Sequence, residues 1–213
     1  MLRVAMHSLP WGRLAAAAVL LGILMEGVRR WPWFLWPLEG IAVGLLAAAV
    51  AWCLDEPAGA VVDAVPRPLW WRTVARTAGI AGLLAVWTVA VWWARHSVFG
   101  HPWDVWTQGL TGSAVGAAWA TWRRSIGVRT PGIAFAAGLV PVAALWALMR
   151  PFARTIPVFP YADGEWTTST IGWIAVGVVA LVCLALVLFD SLWWRVGRSA
   201  GLTGDGSISD YSP

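Results

Sequence analysis

Six stretches of this chain run for 15 to 25 residues with no more than one Asp, Glu or Arg apiece: about Leu14–Val28, Leu38–Leu54, Thr77–Ala94, Val105–Trp122, Pro131–Met149 and Thr170–Trp194. A soluble domain ordinarily has roughly a quarter of its residues charged. Here 12% are charged and 59% are hydrophobic, which excludes that class. About twenty apolar residues in a helix cross a bilayer's hydrocarbon core while satisfying their own backbone hydrogen bonds. The pattern therefore predicts an all-α polytopic membrane protein with about six transmembrane helices. A single transmembrane domain covers 1–198, and the Gly/Ser/Asp-rich stretch 199–213 reads as a disordered cytoplasmic tail.

Tryptophan and arginine support the same spans independently. The chain has 19 tryptophans, and many of them (Trp31, Trp33, Trp70, Trp71, Trp103, Trp122, Trp193 and Trp194 among others) sit near a proposed boundary. Indole rings favour the headgroup level. All fifteen basic residues are arginines. Arg3, Arg13, Arg67, Arg72, Arg76, Arg123, Arg124, Arg129, Arg195 and Arg198 fall on one side of the predicted membrane, and Arg29, Arg30, Arg95, Arg150 and Arg154 on the other. The positive-inside rule then puts both termini in the cytoplasm. It also makes the net charge of +4 a topology signal, not a sign of a nucleic-acid partner. The first span starts like a signal peptide but has no small-x-small cleavage site before Glu26–Arg30, so it reads as a retained anchor. A composition without lysine and rich in Ala, Arg, Trp and Gly points to a bacterial, multi-pass protein of the cell membrane.

The absence of lysine excludes a phosphate-binding loop, a Schiff base and a Ser–Lys dyad. No cofactor is expected on this chain. Glu26, Glu39 and Asp190 fall toward span ends, where they are expected to reach headgroups or water, so no intramembrane ion pathway is indicated. Cys53 and Cys183 read as inert small hydrophobes. His96, His101 and Asp104, in the loop after the third span, offer two imidazoles and a carboxylate, but at no recognised metal-ligand spacing. They read first as interfacial residues, with Asp104 starting the fourth span, and no metal site is assigned. In the fourth span Thr107, Gln108 and Thr111 would line a polar seam, and Gly112 and Gly116 form a G-x-x-x-G pair for close helix approach. Pro141 should kink the fifth span. The stretch between spans five and six, RPFARTIPVFPYADGEWTTST, mixes Phe152, Phe159, Tyr161 and Trp166 with three prolines, and reads as an interfacial lid or a loop resting on headgroups.

Leu54–Arg76, reading LDEPAGAVVDAVPRPLWWRTVAR, is too polar to cross the bilayer. Asp55 or Glu56 would cap a short helix opened by Pro57. Ala58, Val61, Val62 and Val65 share one face of it, and Pro66 ends it. Arg72 and Arg76 share a face of the helix that follows.

This organisation resembles the permeases of type-2 ATP-binding-cassette exporters: six spans, both termini inside, a short amphipathic element between spans two and three, and a non-spanning outer segment between spans five and six. The local match covers about twenty residues, with Glu56, Gly59, the Ala60–Val65 run, Pro66 and Arg72/Arg76 in the family's order. The resemblance implies that Asp55–Val65 is a coupling helix docking on a separate ATPase subunit, which carries ATP and Mg²⁺. Asp55, Glu56, Gly59, Val61, Val62, Val65, Arg72 and Arg76 would form that contact. It implies an outer gate at Phe152, Phe159, Tyr161 and Trp166. The N-terminal MLRVAMHSLPWGR would be a connecting helix, shorter than is usual in the family. A second permease copy, or a related one, and membrane lipid complete the expected partners.

The function expected is therefore transport without enzymatic activity in this chain: a permease moving an amphipathic, lipid-like or drug-like cargo. The rivals are a non-transporting membrane scaffold that holds a soluble partner by the same helix, and a membrane hydrolase or metalloenzyme built on His96, His101, Asp104, Asp163 and Glu165.

Overall fold

The computed structural model describes residues 9–55, 73–74, 76–149, 157–160 and 163–201. Among them the chain is all helical. The helices are α1 (Trp11–Arg30), α2 (Leu35–Cys53), α3 (Thr77–Trp93), α4 (Pro102–Ser125), α5 (Pro131–Met149) and α6 (Trp166–Gly201), with single 3₁₀ turns at Pro32–Phe34 and Asp163–Glu165. Four helical segments, Trp11–Arg30, Pro32–Cys53, Pro131–Met149 and Trp166–Asp190, are long and apolar enough to cross a membrane. This fits a membrane-embedded protein. Helix α3 is apolar but shorter, at 17 residues, and α4 falls outside the group although it has 24 residues, because polar side chains interrupt it.

Local chemistry sets the boundaries. Trp31 precedes Pro32, whose ring disfavours a helical residue before it. Trp31 is accordingly extended (φ −129°, ψ 76°), and α1 stops at Arg30. Pro102 and Pro131 each take the first position of a helix, where a missing N–H costs nothing. Helix α4 ends in a Schellman turn: Gly127, at φ +91°, donates to the Arg124 carbonyl, and Val128 donates to that of Arg123. Pro141 lies inside α5, which continues through it. Helix α6 runs on to Gly201, three residues past Arg198, where the sequence suggested that a tail begins.

Glycine contacts define how the helices run. A Cβ at Gly112 would lie 3.0 Å from Val43, and one at Gly116 would strike the Ala47 carbonyl. Both helices advance four residues between these contacts, so α2 and α4 are parallel and in fixed register. The sum runs the other way between α2 and α5, where Gly40 meets Ala147, Gly44 meets Ala143 and Gly132 meets Ala51, so that pair is antiparallel. Helix α3 is antiparallel to α4: the Trp87 indole donates to the Trp106 carbonyl at 3.3 Å, and Trp92 meets Trp103. Helix α6 follows α4 in parallel, through Thr170 on Asp104 and Thr111 on the Trp173 carbonyl. Successive helices thus alternate in direction.

Helix α2 is the axis, with every residue from Ala42 to Ala51 buried. Helices α1 and α3 cover one side of the α2/α4 pair, and α5 and α6 cover the other; α5 packs on α2, α6 packs on α4, and α5 and α6 hardly meet each other. The outward faces of α5 and α6 are studded with exposed Ile, Val and Leu, as bilayer-facing surfaces are. Arg13, Arg76, Arg123, Arg124 and Arg129 gather at one end of the bundle, and Arg29, Arg30 and Arg95 at the other.

Candidate functional site: a cavity with a polar end, and a tied linker

The gap left between α5 and α6 is a cavity of about 480 Å³. Val43 and Ala47 of α2 and Gly112 and Val115 of α4 form its floor, with Ala143 of α5 and Trp173 of α6 on its sides. Small residues on the floor leave the space open, and the walls are almost entirely apolar. Pro157–Phe159 lie across one end. The Val158 carbonyl accepts hydrogen bonds from Ser169 Oγ (3.0 Å) and Trp173 Nε1 (2.8 Å), so this strap is fastened to α6. The Phe159 ring packs 3.2 Å or closer to where a Gly40 side chain would start, and its centroid lies 5.8 Å from that of Trp173.

One turn beyond the cavity along α2 and α4 stand Glu39 and Gln108, opposite each other in the register that pairs Val43 with Gly112. Both are fully buried. Neither Glu39 oxygen nor either polar atom of the Gln108 amide has a hydrogen-bond partner among the described residues. Sequence reasoning placed Glu39 where it would reach water or headgroups. Instead, the close α2/α4 contact that the glycines allow seals it inside. The neighbouring Asp104 is satisfied on both oxygens, by His101 Nδ1 at 2.8 Å and Thr170 Oγ1 at 2.6 Å. Trp166 is buried and stacks flat on His101, with ring centroids 4.3 Å apart and planes 5° apart.

Gln108 and Thr111 are buried, and Thr111 Oγ1 donates to the Trp173 carbonyl at 3.1 Å. Thr107 is half-buried and bonds back to the Trp103 carbonyl of its own helix. Phe159 and Trp166 are both buried, the first against Trp173 and the second against His101, while Phe152 and Tyr161 lie outside the described residues. His96 is exposed and takes a hydrogen bond from Arg95 at 3.1 Å, apart from the His101–Asp104 pair. Among the described residues no three His, Cys, Asp or Glu side chains converge as a metal site would require. Cys53 is buried and Cys183 is exposed on α6, both as free thiols.

At the opposite end of the bundle, Asp55 and Arg76 bracket the segment read as a coupling element. Glu56, Gly59, Val61, Val62, Val65 and Arg72 fall outside the described residues. Asp55 is only 2% exposed and Arg76 only 6%. Arg76 Nη1 donates to the carbonyls of Cys53 (3.0 Å) and Asp55, closing the ends of the segment on each other. The sequence offers Asp55 or Glu56 as the cap of a helix over Pro57–Val65, which lies outside the described residues. Asp55 Oδ1 accepts the Gly132 N–H at 2.7 Å, an orphan donor in the first turn of α5. Burial pushes the Asp55 carboxyl above the usual aspartate range, and the Gly132 hydrogen bond and the charges of Arg13, Arg76 and Arg124 pull it partly back. One buried joint therefore ties together the end of α2, the start of α3 and the start of α5.

The burial of Glu39 and the partner of Asp55 are not legible in the sequence. Both arise from contacts between distant segments that no local spacing encodes. No protein-family model, curated protein or solved structure matches this chain.

Proposed function

We propose that this chain is the permease subunit of an ATP-binding-cassette exporter in a bacterial cell membrane. It would cross the bilayer six times with both termini in the cytoplasm, work beside a second permease copy or a related one, and move an amphipathic cargo with energy from a separate ATPase subunit. The alternating helix directions and the arginine-rich end at Arg13, Arg76, Arg123, Arg124 and Arg129 support this orientation.

The joint at Asp55, Arg76 and Gly132 carries the reading. Force on residues 56–72 from a soluble partner has a direct route into three helices at once, and two of them, α2 and α5, wall the cavity. Displacement of α5 relative to α6 changes the width of the gap between them. In this mechanism the nucleotide state of the ATPase biases a bundle with two arrangements. The largely apolar walls favour a lipid-like or drug-like cargo over a sugar.

Purification of the full chain from its native membranes in mild detergent tests the proposal. A stoichiometric ATP-binding-cassette ATPase should accompany it and be lost in Val61→Asp, which puts a charge among the apolar residues Ala58, Val61, Val62 and Val65 that the sequence places on one face, while the variant still reaches the membrane. Recovery of the chain with a non-ATPase partner, in wild type and Val61→Asp alike, would refute the permease reading in favour of a scaffold.

A further inference from the structure

We propose that the α5/α6 cavity and the Glu39–Gln108 pair form one binding site, and that its ligand is an amphiphile bearing a protonated amine. This rests on the permease reading only for the ligand's role as cargo; the binding site itself stands on the geometry.

Among the described residues the polar end offers Glu39 no cation: His101, the nearest imidazole, is engaged by Asp104. Glu39 is sealed from solvent, with both oxygens unpartnered among the described residues. Its nearby charged neighbour, Asp104, has the same sign and has already engaged His101 and Thr170. A buried carboxylate is costly unless it is paired, and even a neutral carboxyl in that place would leave a donor and an acceptor unused. The Gln108 amide opposite is equally unspent. An ammonium group brings a positive charge and three N–H donors. It would satisfy the Glu39 carboxylate and the Gln108 carbonyl oxygen together, and it would strengthen in the low dielectric that penalises Glu39 alone. An anionic head, such as a sulfate or phosphate ester, would meet two carboxyl groups and, among the described residues, no free cation.

The tail has its place one turn away. Val43 and Gly112, on the cavity floor, are the next residues along the same helix faces as Glu39 and Gln108. A volume of about 480 Å³ is within the range of about 300–1,000 Å³ typical of small-molecule sites. Phe159 packs at the level of Gly40, next to the polar pair, on a strap bound to α6 through the Val158 carbonyl. Movement of α6 would therefore carry Phe159 with it and open the way between the apolar and polar halves.

Binding to the full-length chain in phosphatidylcholine nanodiscs, with no ATPase present, tests the site. The probe is radiolabelled dodecylamine at pH 7, competed with unlabelled dodecylamine, dodecanol or dodecyl sulfate. We expect saturable binding that only the amine displaces efficiently, with the other two at least about tenfold weaker. Glu39→Gln, isosteric and free of the buried charge, should weaken dodecylamine binding by about tenfold or more, as loss of a charge-assisted hydrogen bond does. Gly172→Leu provides a separate arm. Gly172 lines the cavity and a Cβ there meets nothing within 4 Å, so a larger side chain can start at this wall and take up tail space. It should reduce binding of all three probes. Equal competition by dodecanol, or unchanged dodecylamine binding in Glu39→Gln or in Gly172→Leu, would overturn the proposal. Because no partner is in the assay, these results are independent of whether an ATPase co-purifies.

Discussion

Replacing Gly116 with alanine drives a methyl group into the backbone of α2. A Cβ at that position would lie 3.0 Å from the Ala47 carbonyl carbon and 3.3 Å from its Cα, with the carbonyl oxygen nearer still. The obstacle is not a side chain that can rotate away. Ala47 sits in the fully buried run of α2, and the same helix is braced by α5, where Gly44 and Gly132 already bring the backbones close. Alanine gains about 1 kcal/mol over glycine in a helix interior. Overpacking a tight core costs about 1–3 kcal/mol, toward the upper end where a backbone must shift. The net expectation is destabilisation by about 1–2 kcal/mol. Two companion variants isolate the contact. Gly112→Ala meets the Val43 side chain at 3.0 Å, which has some freedom to turn, and should fall between wild type and Gly116→Ala. Gly172→Ala meets nothing and should keep the propensity gain. Unfolding midpoints in mixed micelles on titration with sodium dodecyl sulfate give the order directly. If Gly116→Ala is as stable as Gly172→Ala, the parallel α2/α4 contact described above is wrong, and the pairing of Glu39 with Gln108 falls with it.

The other joint offers two tests. Burial raises the Asp55 carboxyl, so the folded chain holds that proton more tightly than the unfolded one. Its contribution to stability is therefore full below the unfolded value of about 3.9 and is lost as pH rises through the raised value. Asp55→Asn should flatten that fall in the unfolding midpoint, and an unchanged pH dependence would count against the burial. Arg76→Ala removes the donor to two helix-end carbonyls and should cost about 1.5–3 kcal/mol in the same micelle assay. Of the two thiols, only Cys183 should react with N-ethylmaleimide in the folded, detergent-solubilised chain, and mass spectrometry should find one adduct before unfolding and two after.

Helix positions were legible because long apolar runs announce themselves locally. Apolar length and proline placement marked Pro131–Met149 at its observed ends and Thr77–Ala94 to within one residue. The glycine pair in α4 indicated a close partner, though not which helix it would be. What the chain does not encode locally is the register between segments far apart in sequence. Glu39 looked like an interfacial acid because it stands five residues into α2; the packing of α2 against α4 and α5 buries it. Asp55 looked like a cap for its own downstream helix because caps are usually local, yet it serves α5 across the bundle. Thr107, Gln108 and Thr111 formed a plausible seam by spacing, but rotation about α4 leaves Thr107 half outside it.

The polar character of α4 has a consequence for how such a chain is made. Thr111, Ser113, Gln108 and Thr121 are tolerable in a bilayer only while turned toward other protein, and α4 is not among the helices apolar enough to cross alone. On the proposed six-span topology, in a chain threaded into the membrane from its N-terminus, α2 arrives first and α4 then inserts against a surface already waiting. The order of synthesis is thereby part of the folding instruction, and a rearranged gene that delivered α4 before α2 would present the insertion machinery with a helix it has little reason to release into lipid.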